Sequence, residues 1–508
     1  MIMLMENFAP FMFGGLILTM LIGFPVAFSL AFLGLACGFF AISMDWFPAS
    51  FMSNLPLNIF GILSNDLLLA IPFFTFMGAI LEKCGLAEDM LDSMGQLFGP
   101  VKGGLGYSVI IVGFILGAIT GTVAGQVIAM ALISLPVMIR YGYNMRYATG
   151  VLAASGTITQ LVPPSLVLVV MADQLGRSVG DMYKGAWGPS LLQVGIFALY
   201  TYGLSLVKPE HVPGIPKEAR TLNGWALWAK CLRGIVPSAF LIFAVLGSMG
   251  GLPGINTAIA TPTEAGAMGC VGALVLAAMH NRLDKNLIWD AMHSTMRLTA
   301  MVVFILIGSR VFSMVFQGVD GAKWVEHLLS GLPGGQVGFL IVVNIFIFFL
   351  AFFLDFFEIA FIILPMLGPV AEKMGIDMVW FGVLLCVNMQ TSFMHPPFGF
   401  ALFYLRGIAD TLFKEGRIEK PVKSNDIYMG AIPWVIMQLV LVVIVIFVPE
   451  TVTMFLDKEE KVDLDKVVIE MPSEQEVPEV ELKLDGTKPT DADNAAEEQK
   501  KMDDLFKK

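Results

Sequence analysis

Apolar runs long enough to cross a lipid bilayer recur along most of this chain. They read at 9–44, 55–83, 106–140, 147–172, 187–207, 233–250, 254–280, 298–318, 335–371, 379–405 and 429–449. A helix needs roughly 20 such residues to span the hydrocarbon core. Inside that core every backbone N–H and C=O must be satisfied within the protein, which restricts such runs to helices. Composition agrees: 56% of the 508 residues are apolar and 14% are charged, whereas soluble domains carry about a quarter charged residues. The expected fold is an all-α polytopic membrane protein over residues 1–456. The remainder, 457–508, is acidic and poor in aromatics, and reads as a disordered or loosely helical tail.

Other classes find no support. The net charge of −11 gathers largely in the tail. No basic stripe interleaved with aromatics speaks for nucleic acid. Cys37, Cys84, Cys231, Cys270 and Cys386 are scattered in or beside apolar runs without a CxxC, as expected of small buried residues. No HExxH, Walker A loop or Rossmann fingerprint is present, so neither an enzyme nor a cofactor is expected. The N-terminus has no basic region ahead of its first apolar run, so no cleavable signal is expected.

Lysine and arginine set the sidedness. Lys208, Lys217, Arg220, Lys230 and Arg233 follow one run, Arg282, Lys285 and Arg297 another, and Arg406, Lys414, Arg417, Lys420 and Lys423 a third. These connections are expected in the cytoplasm, and the Lys/Arg-poor segments 45–54 and 319–334 in the periplasm. The count closes only if 106–140 and 335–371 each enter and leave on one side, as re-entrant helical hairpins. The first would open to the cytoplasm and the second to the periplasm. Each has a polar interruption where a tip belongs: Thr120-Gly121-Thr122-Val123-Ala124-Gly125-Gln126 and Asp355-Phe356-Phe357-Glu358. A bent single span is the alternative.

The segments downstream of the two hairpins match. Gly142 and Gly375 each stand 21 residues before a Pro-Pro pair, Pro163-Pro164 and Pro396-Pro397. Just ahead of the prolines lie Ser155-Gly156-Thr157 and Asn388-Met389-Gln390-Thr391. Upstream, Ile71–Gly78 resembles Met301–Gly308. An odd number of spans separates the hairpins, so the repeats, about 55–207 and about 254–449, have opposite topology. Inverted repeats with paired broken helices point to a secondary transporter's binding site. A break in mid-membrane frees carbonyls for a cation and exposes a half-helix N-terminus to an anion. A proline kink satisfied by neighbouring helices is the plain reading of either break alone.

The candidate cation ligands are Thr120, Gly121, Thr122, Ser155, Gly156, Thr157, Asp355, Asn388, Gln390 and Thr391, an oxygen-rich set suited to sodium. Ser155, Gly156 and Thr157 are expected opposite the first tip, and Asn388, Gln390 and Thr391 opposite Asp355. Intramembrane carboxylates are functional candidates, although Asp355 also fits a helix cap. The substrate candidates are Arg310, Gln126, Asp355, Glu358 and Thr391. Arg310 either grips a carboxylate with its fork or snorkels to the interface. Glu264 is expected to tie a scaffold helix to a neighbour. His395 fits loop packing or a proton relay.

These stretches resemble the large membrane (M) subunit of tripartite ATP-independent periplasmic (TRAP) transporters. The resemblance rests on Gly23-Phe24-Pro25-Val26-Ala27-Phe28, the Thr120–Gln126 tip, Gly142-Tyr143, Gly156 to Pro164, Thr261-Pro262-Thr263-Glu264-Ala265 and Asn388 to Gly399. It covers about residues 10 to 450. The family tip usually reads closer to Ser-Gly-Ser-Ser, and the late motif has Thr-Pro-Pro where this chain has His395-Pro396-Pro397. The resemblance implies an elevator mechanism, sodium as coupling ion, a small organic anion as substrate and the bacterial inner membrane as location. It also implies a small four-helix membrane subunit and a periplasmic substrate-binding protein as partners, with no small subunit fused to this chain. A stand-alone sodium/carboxylate symporter, or a channel or membrane scaffold, remains as the alternative.

Overall fold

The first apolar block folds as two helices, α1 (Phe8–Ile22) and α2 (Val26–Ser43). Gly23 turns the chain with φ +93°, and Pro25 has no N–H to extend a ladder. The computed structural model describes residues 8–46, 48–216, 224–255, 257–330, 332–352, 354–395 and 399–456. All of them fall in one compact unit. Pro396, Pro397 and the tail lie outside the described residues.

The block 55–83 is not one helix. After a short α3 (Ser50–Ser53), α4 (Leu55–Leu63) and α5 (Asp66–Lys83) meet at a 46° bend. Asn65 causes it by accepting the Leu67 N–H at 3.0 Å, a side-chain cap that starts a new helix. The polar trio Ser64-Asn65-Asp66 marks that break in the sequence. Next come α6 (Leu86–Phe98), amphipathic and unexpected, then α7 (Gly104–Thr120) and α8 (Val123–Arg140). The run 147–172 divides into α9 (Met145–Thr157), a 3-10 turn (Ile158–Gln160) and α10 (Leu166–Leu175), followed by α11 (Val179–Val207).

The second half repeats this order. It opens with α12 (Trp225–Ser248), α13 (Pro262–Met279) and the 34-residue α14 (Lys285–Gly318). α14 starts well before the apolar run at 298 because Asp284 accepts the Leu287 N–H at 2.7 Å and caps a polar first stretch. An amphipathic α15 (Gly321–Ser330) precedes α16 (Gly335–Leu350), α17 (Phe356–Ile362) and α18 (Leu364–Lys373). The chain then runs through α19 (Met378–Met389), a 3-10 stretch (Gln390–Met394), α20 (Phe400–Lys414), α21 (Ser424–Phe447) and α22 (Glu450–Thr453). Among the described residues every regular element is helical, and seven single helices are long and apolar enough to span a bilayer.

Two hydrogen bonds make α7 and α8 an antiparallel hairpin. Near the tip Gln126 Nε2 donates to the Gly113 carbonyl at 2.6 Å. At the mouth the Leu105 N–H donates to Tyr143 Oη at 3.2 Å. α16 and the α17–α18 arm also meet at their mouth, where Gln336 Nε2 donates to the Met374 carbonyl at 2.8 Å. Between these arms lies an apolar cavity of about 300 Å³, lined partly by Val343, Phe346, Ile363 and Met366.

The repeats keep register to the residue. Gly142 and Gly375 both take a left-handed φ, +79° and +72°. Two residues on, Asn144 and Asp377 cap α9 and α19 with their side chains. Such a turn needs the missing Cβ, since left-handed backbone is costly for other residues. The hairpin mouths sit at opposite neighbours. The Lys208–Ile215 segment binds the first: Gly103 N–H donates to the Val212 carbonyl and Asn144 N–H to the His211 carbonyl, each at 2.9 Å. The basic stretch after α20 reaches the same hairpin, as Arg417 Nη2 donates to the Leu132 carbonyl at 3.1 Å. The second mouth instead meets α15, through Lys373 and Glu326 at 2.7 Å.

Candidate functional site

At the first tip only Gly121 and Thr122 lie between two antiparallel helices. Gly121 closes α7 at φ +61° and Thr122 is extended, with no side-chain cap to α8. Thr120 ends α7; its side chain lies outside the described structure. The tip faces the N-terminus of α10, where a Cβ on Gly121 would lie 3.9 Å from Leu166.

Ser155 and Gly156 pack on the hairpin arms, Ser155 against Gly113 and Gly156 against Val127. Gln126 is the brace. Fully buried, it donates to the Gly113 carbonyl and to the Ser155 carbonyl at 2.9 Å, and its Oε1 accepts from the Thr159 hydroxyl. Both ends of the amide are engaged within the protein. Gln126 is therefore a structural cross-link in this arrangement and not the open substrate contact expected of it.

The two breaks touch. Thr157 Oγ1 lies 3.8 Å from Met394 Sδ and accepts from Gln438 Nε2 of α21 at 3.0 Å. Gln390 exchanges two hydrogen bonds with Gln193 of α11, at 2.9 and 3.1 Å. Asn388 donates to the Asn344 carbonyl of α16 at 2.8 Å. Among the described residues no hydrogen bond joins Asn388, Gln390 or Thr391 to Asp355. The polar end of α19 finds its hydrogen-bond partners on α11 and α16.

Several carbonyls of the breaks are occupied too. Thr157 bonds back to Ala154 and Thr391 to Asn388, at 2.9 and 2.7 Å. A carbonyl has two lone pairs, so such an oxygen can accept a hydroxyl and still face a cation. Fully buried oxygens without a hydrogen-bond partner also gather on these elements: Ser155 Oγ, Gln160 Oε1, Asn344 Oδ1, Asn388 Oδ1 and Gln438 Oε1. Orphaned buried acceptors are rare and call for a reason; hard oxygens of this kind fit an alkali cation.

Asp355 and Glu358 form a reciprocal cap on α17. The Glu358 N–H donates to Asp355 Oδ1, and the Asp355 N–H to Glu358 Oε2, each at 2.9 Å. The cap uses one oxygen of each carboxylate, Asp355 Oδ1 and Glu358 Oε2. Glu264 repeats the device with Thr261 on α13. The tie to the neighbouring helix comes instead from Thr263, which donates to the Asp66 carbonyl at 2.8 Å. His395 is buried between Phe348 and Phe352, ring centroids 4.4 and 4.6 Å away: loop packing.

Arg310 occupies a different place. It lines a polar cavity of about 260 Å³ between α4–α5, α10, α14 and α17–α18, with Asn65, Asp173, Gln174, Ser309 and Ser313. Asp173 is already bound on both oxygens, by Asn65 at 2.6 Å and Gln174 at 2.8 Å. Arg310 makes no ion pair among the described residues. Gln126, Asp355, Glu358 and Thr391 do not line this cavity, so the expected substrate set divides, with Arg310 apart from the rest. Asn65, Asp173 and Gln174 were not legible as partners because Asn65 falls inside one apolar run and Asp173 and Gln174 just past another, far away in the chain.

Glu82 was also missed. It ends an apolar run beside Lys83, which reads as an interface pair. The structure turns it inward onto α8, where any side chain on Gly125 would overlap its carboxylate.

Comparison with known proteins gives a consistent picture. Residues 13–451 match the family described as tripartite ATP-independent periplasmic transporter, DctM component. The chain is 30% identical over 458 residues to the C4-dicarboxylate TRAP transporter large permease protein DctM of Rhodobacter capsulatus, covering 87% of this chain and 97% of that one. It is 25% identical over 432 residues to the 2,3-diketo-L-gulonate TRAP transporter large permease protein YiaN of Escherichia coli K12, with 85% and 95% coverage. The crystal structure of the YdaH transporter of Alcanivorax borkumensis shares the fold, at TM-score 0.53 and 15% identity, covering 78% of this chain and 87% of that one.

Proposed function

The chain belongs to the DctM family as the large membrane subunit of a tripartite ATP-independent periplasmic transporter, and on that premise we propose that it imports small carboxylates coupled to sodium. Arg310 carries the reading. An arginine without an ion pair in a polar cavity is arranged to receive an anion, since its planar fork matches a carboxylate in two parallel hydrogen bonds. The volume, about 260 Å³, is near the small end of ligand cavities, which start at roughly 300 Å³. That suits a short organic acid, in keeping with the C4-dicarboxylate and 2,3-diketo-L-gulonate named for two relatives.

Sodium coupling draws support from the orphaned oxygens around the two breaks. We take Gly121, Thr122, Ser155, Gly156, Thr157, Asn388 and Thr391 as the region that holds the ions, with Thr120 and Asp355 at the tips. Elevator movement draws support from the cavity itself, which lies between α5 and α14 on one side and α10 and α17 on the other. In this reading α7–α8, α16–α18 and the broken helices travel together while α5, α13 and α14 stay fixed. A small membrane subunit and a periplasmic binding protein complete the transporter in the inner membrane.

The test is uptake into liposomes holding the chain and the small subunit, with the binding protein outside. An imposed sodium gradient should drive accumulation of a C4-dicarboxylate or 2-oxo acid, and Arg310→Ala should weaken it strongly at low substrate. Accumulation by the chain alone would favour a stand-alone symporter. Flux that neither saturates nor responds to sodium would mean a channel.

A further inference from the structure

The repeats are held together by a pair of glutamines that mirror each other. Thr157 and Gln390 occupy equivalent positions, each 15 residues past the turn glycine, Gly142 or Gly375. Both stand where an α-helix gives way to a 3-10 turn. Each is met by a glutamine from the long last helix of the other repeat. Gln193 of α11 pairs with Gln390 at 2.9 and 3.1 Å. Gln438 of α21 donates to Thr157 Oγ1 at 3.0 Å. Each glutamine lies about one turn past an internal proline, Pro189 or Pro433.

The pins at the other end of the broken helices stay within a repeat. Tyr147 and Thr201 share a hydroxyl hydrogen bond of 2.9 Å between α9 and α11. At the equivalent place Trp380 Nε1 donates to the Val445 carbonyl between α19 and α21, also at 2.9 Å. Each broken helix is thus fixed to its own repeat at the start and to the opposite repeat at the break. Gln193, Gln390, Thr157 and Gln438 are all essentially inaccessible to solvent, so no water competes for these bonds. Gln438 Oε1 is left without a partner. An amide that spends only its donor end and is held beside Thr157 has an acceptor to spare at the break.

We propose that Gln193 and Gln438 are positioning residues that lock the two unwound segments into one body and set the spacing of the oxygens that receive the coupling ions. The inference rests on the sodium-coupled reading above. It predicts that loosening either brace weakens sodium and spares the substrate. A chain that merely needs these amides to fold would lose both together.

The experiment uses the complete transporter in liposomes, with sodium titrated at saturating substrate and substrate titrated at saturating sodium. Gln193→Leu and Gln438→Leu should each raise half-saturating sodium about fivefold to tenfold, the scale of one lost net hydrogen bond, and lower the Hill coefficient. Substrate KM at saturating sodium should move less than about twofold. Gln438→Met, closest to glutamine in shape, checks that packing is not the cause and should behave like Gln438→Leu. Folded variants with wild-type sodium half-saturation would overturn the inference while leaving sodium coupling intact. A wild-type transporter indifferent to sodium would bring down the coupling reading itself.

Discussion

Asp355 and Glu358 close on each other's backbone, carboxylate to N–H in both directions at 2.9 Å. The second tip is thereby a helix start as well as a candidate ion site, and the two roles answer differently to substitution. Asp355→Asn keeps an oxygen to accept the Glu358 N–H and removes the charge. Asp355→Ala removes both. Loss of an N-cap costs about 1 kcal/mol, so Asp355→Ala should fold with a lowered melting temperature and lose sodium-driven uptake. Asp355→Asn should melt close to wild type and still lose it. Wild-type sodium dependence in Asp355→Asn would leave the residue with its cap alone.

Arg310 is expected to act in substrate affinity and not in folding, because it is exposed in its cavity and pairs with nothing described there. A hydrogen bond to a charged group contributes about 1.5–3 kcal/mol. Arg310→Ala should therefore raise the substrate KM by roughly tenfold or more. Arg310→Lys keeps the charge without the fork and should recover only part. Melting curves of both should overlay the parent's.

Gln126 makes the opposite prediction. Gln126→Leu removes the side-chain hydrogen bonds that tie α8 to the Gly113 and Ser155 carbonyls. Each lost hydrogen bond costs about 0.5–1.5 kcal/mol. Thermal unfolding in detergent should shift clearly downward, whereas sodium half-saturation in the surviving protein should change little. An unchanged melting temperature would mean that the first hairpin does not depend on this brace.

Glu82 and Gly125 offer a steric test. Gly125→Ala puts a methyl group where the Glu82 carboxylate packs, and overpacking of this kind costs about 1–3 kcal/mol. Glu82→Ala should relieve it. A double-mutant cycle on thermal stability should show coupling above about 0.5 kcal/mol, as contacting residues do. Additive effects would separate the two side chains.

Much of this architecture is legible in the chain because lipid leaves few options. The matched Gly142 and Gly375 turns, the polar runs at Ser155 and Asn388, and the interrupted blocks 106–140 and 335–371 all correspond to breaks in the helices. Other elements are quiet. α6 and α15 are amphipathic and too polar to stand out among apolar runs. The bend at Asn65 rests on the short polar trio Ser64-Asn65-Asp66, which is brief enough to pass for part of one span. The Asp355-Phe356-Phe357-Glu358 and Thr261-Pro262-Thr263-Glu264 spacings do carry a signal, the capping box, which an acidic residue in an apolar run distracts from. The glutamine pairs carry none, because partners 197 and 281 positions apart meet only through the tertiary fold.

The proposed alternating access has as its geometric premise two hairpins that open to opposite faces. The five native cysteines are buried, so exposed probes at the mouths can be read cleanly. Lys102→Cys marks the first mouth and Pro333→Cys the second, and both positions are exposed. A membrane-impermeant maleimide applied to right-side-out and inside-out vesicles should label Pro333→Cys only from the periplasmic face and Lys102→Cys only from the cytoplasmic face. Labelling of both from the same face would contradict the inverted arrangement and everything built on it.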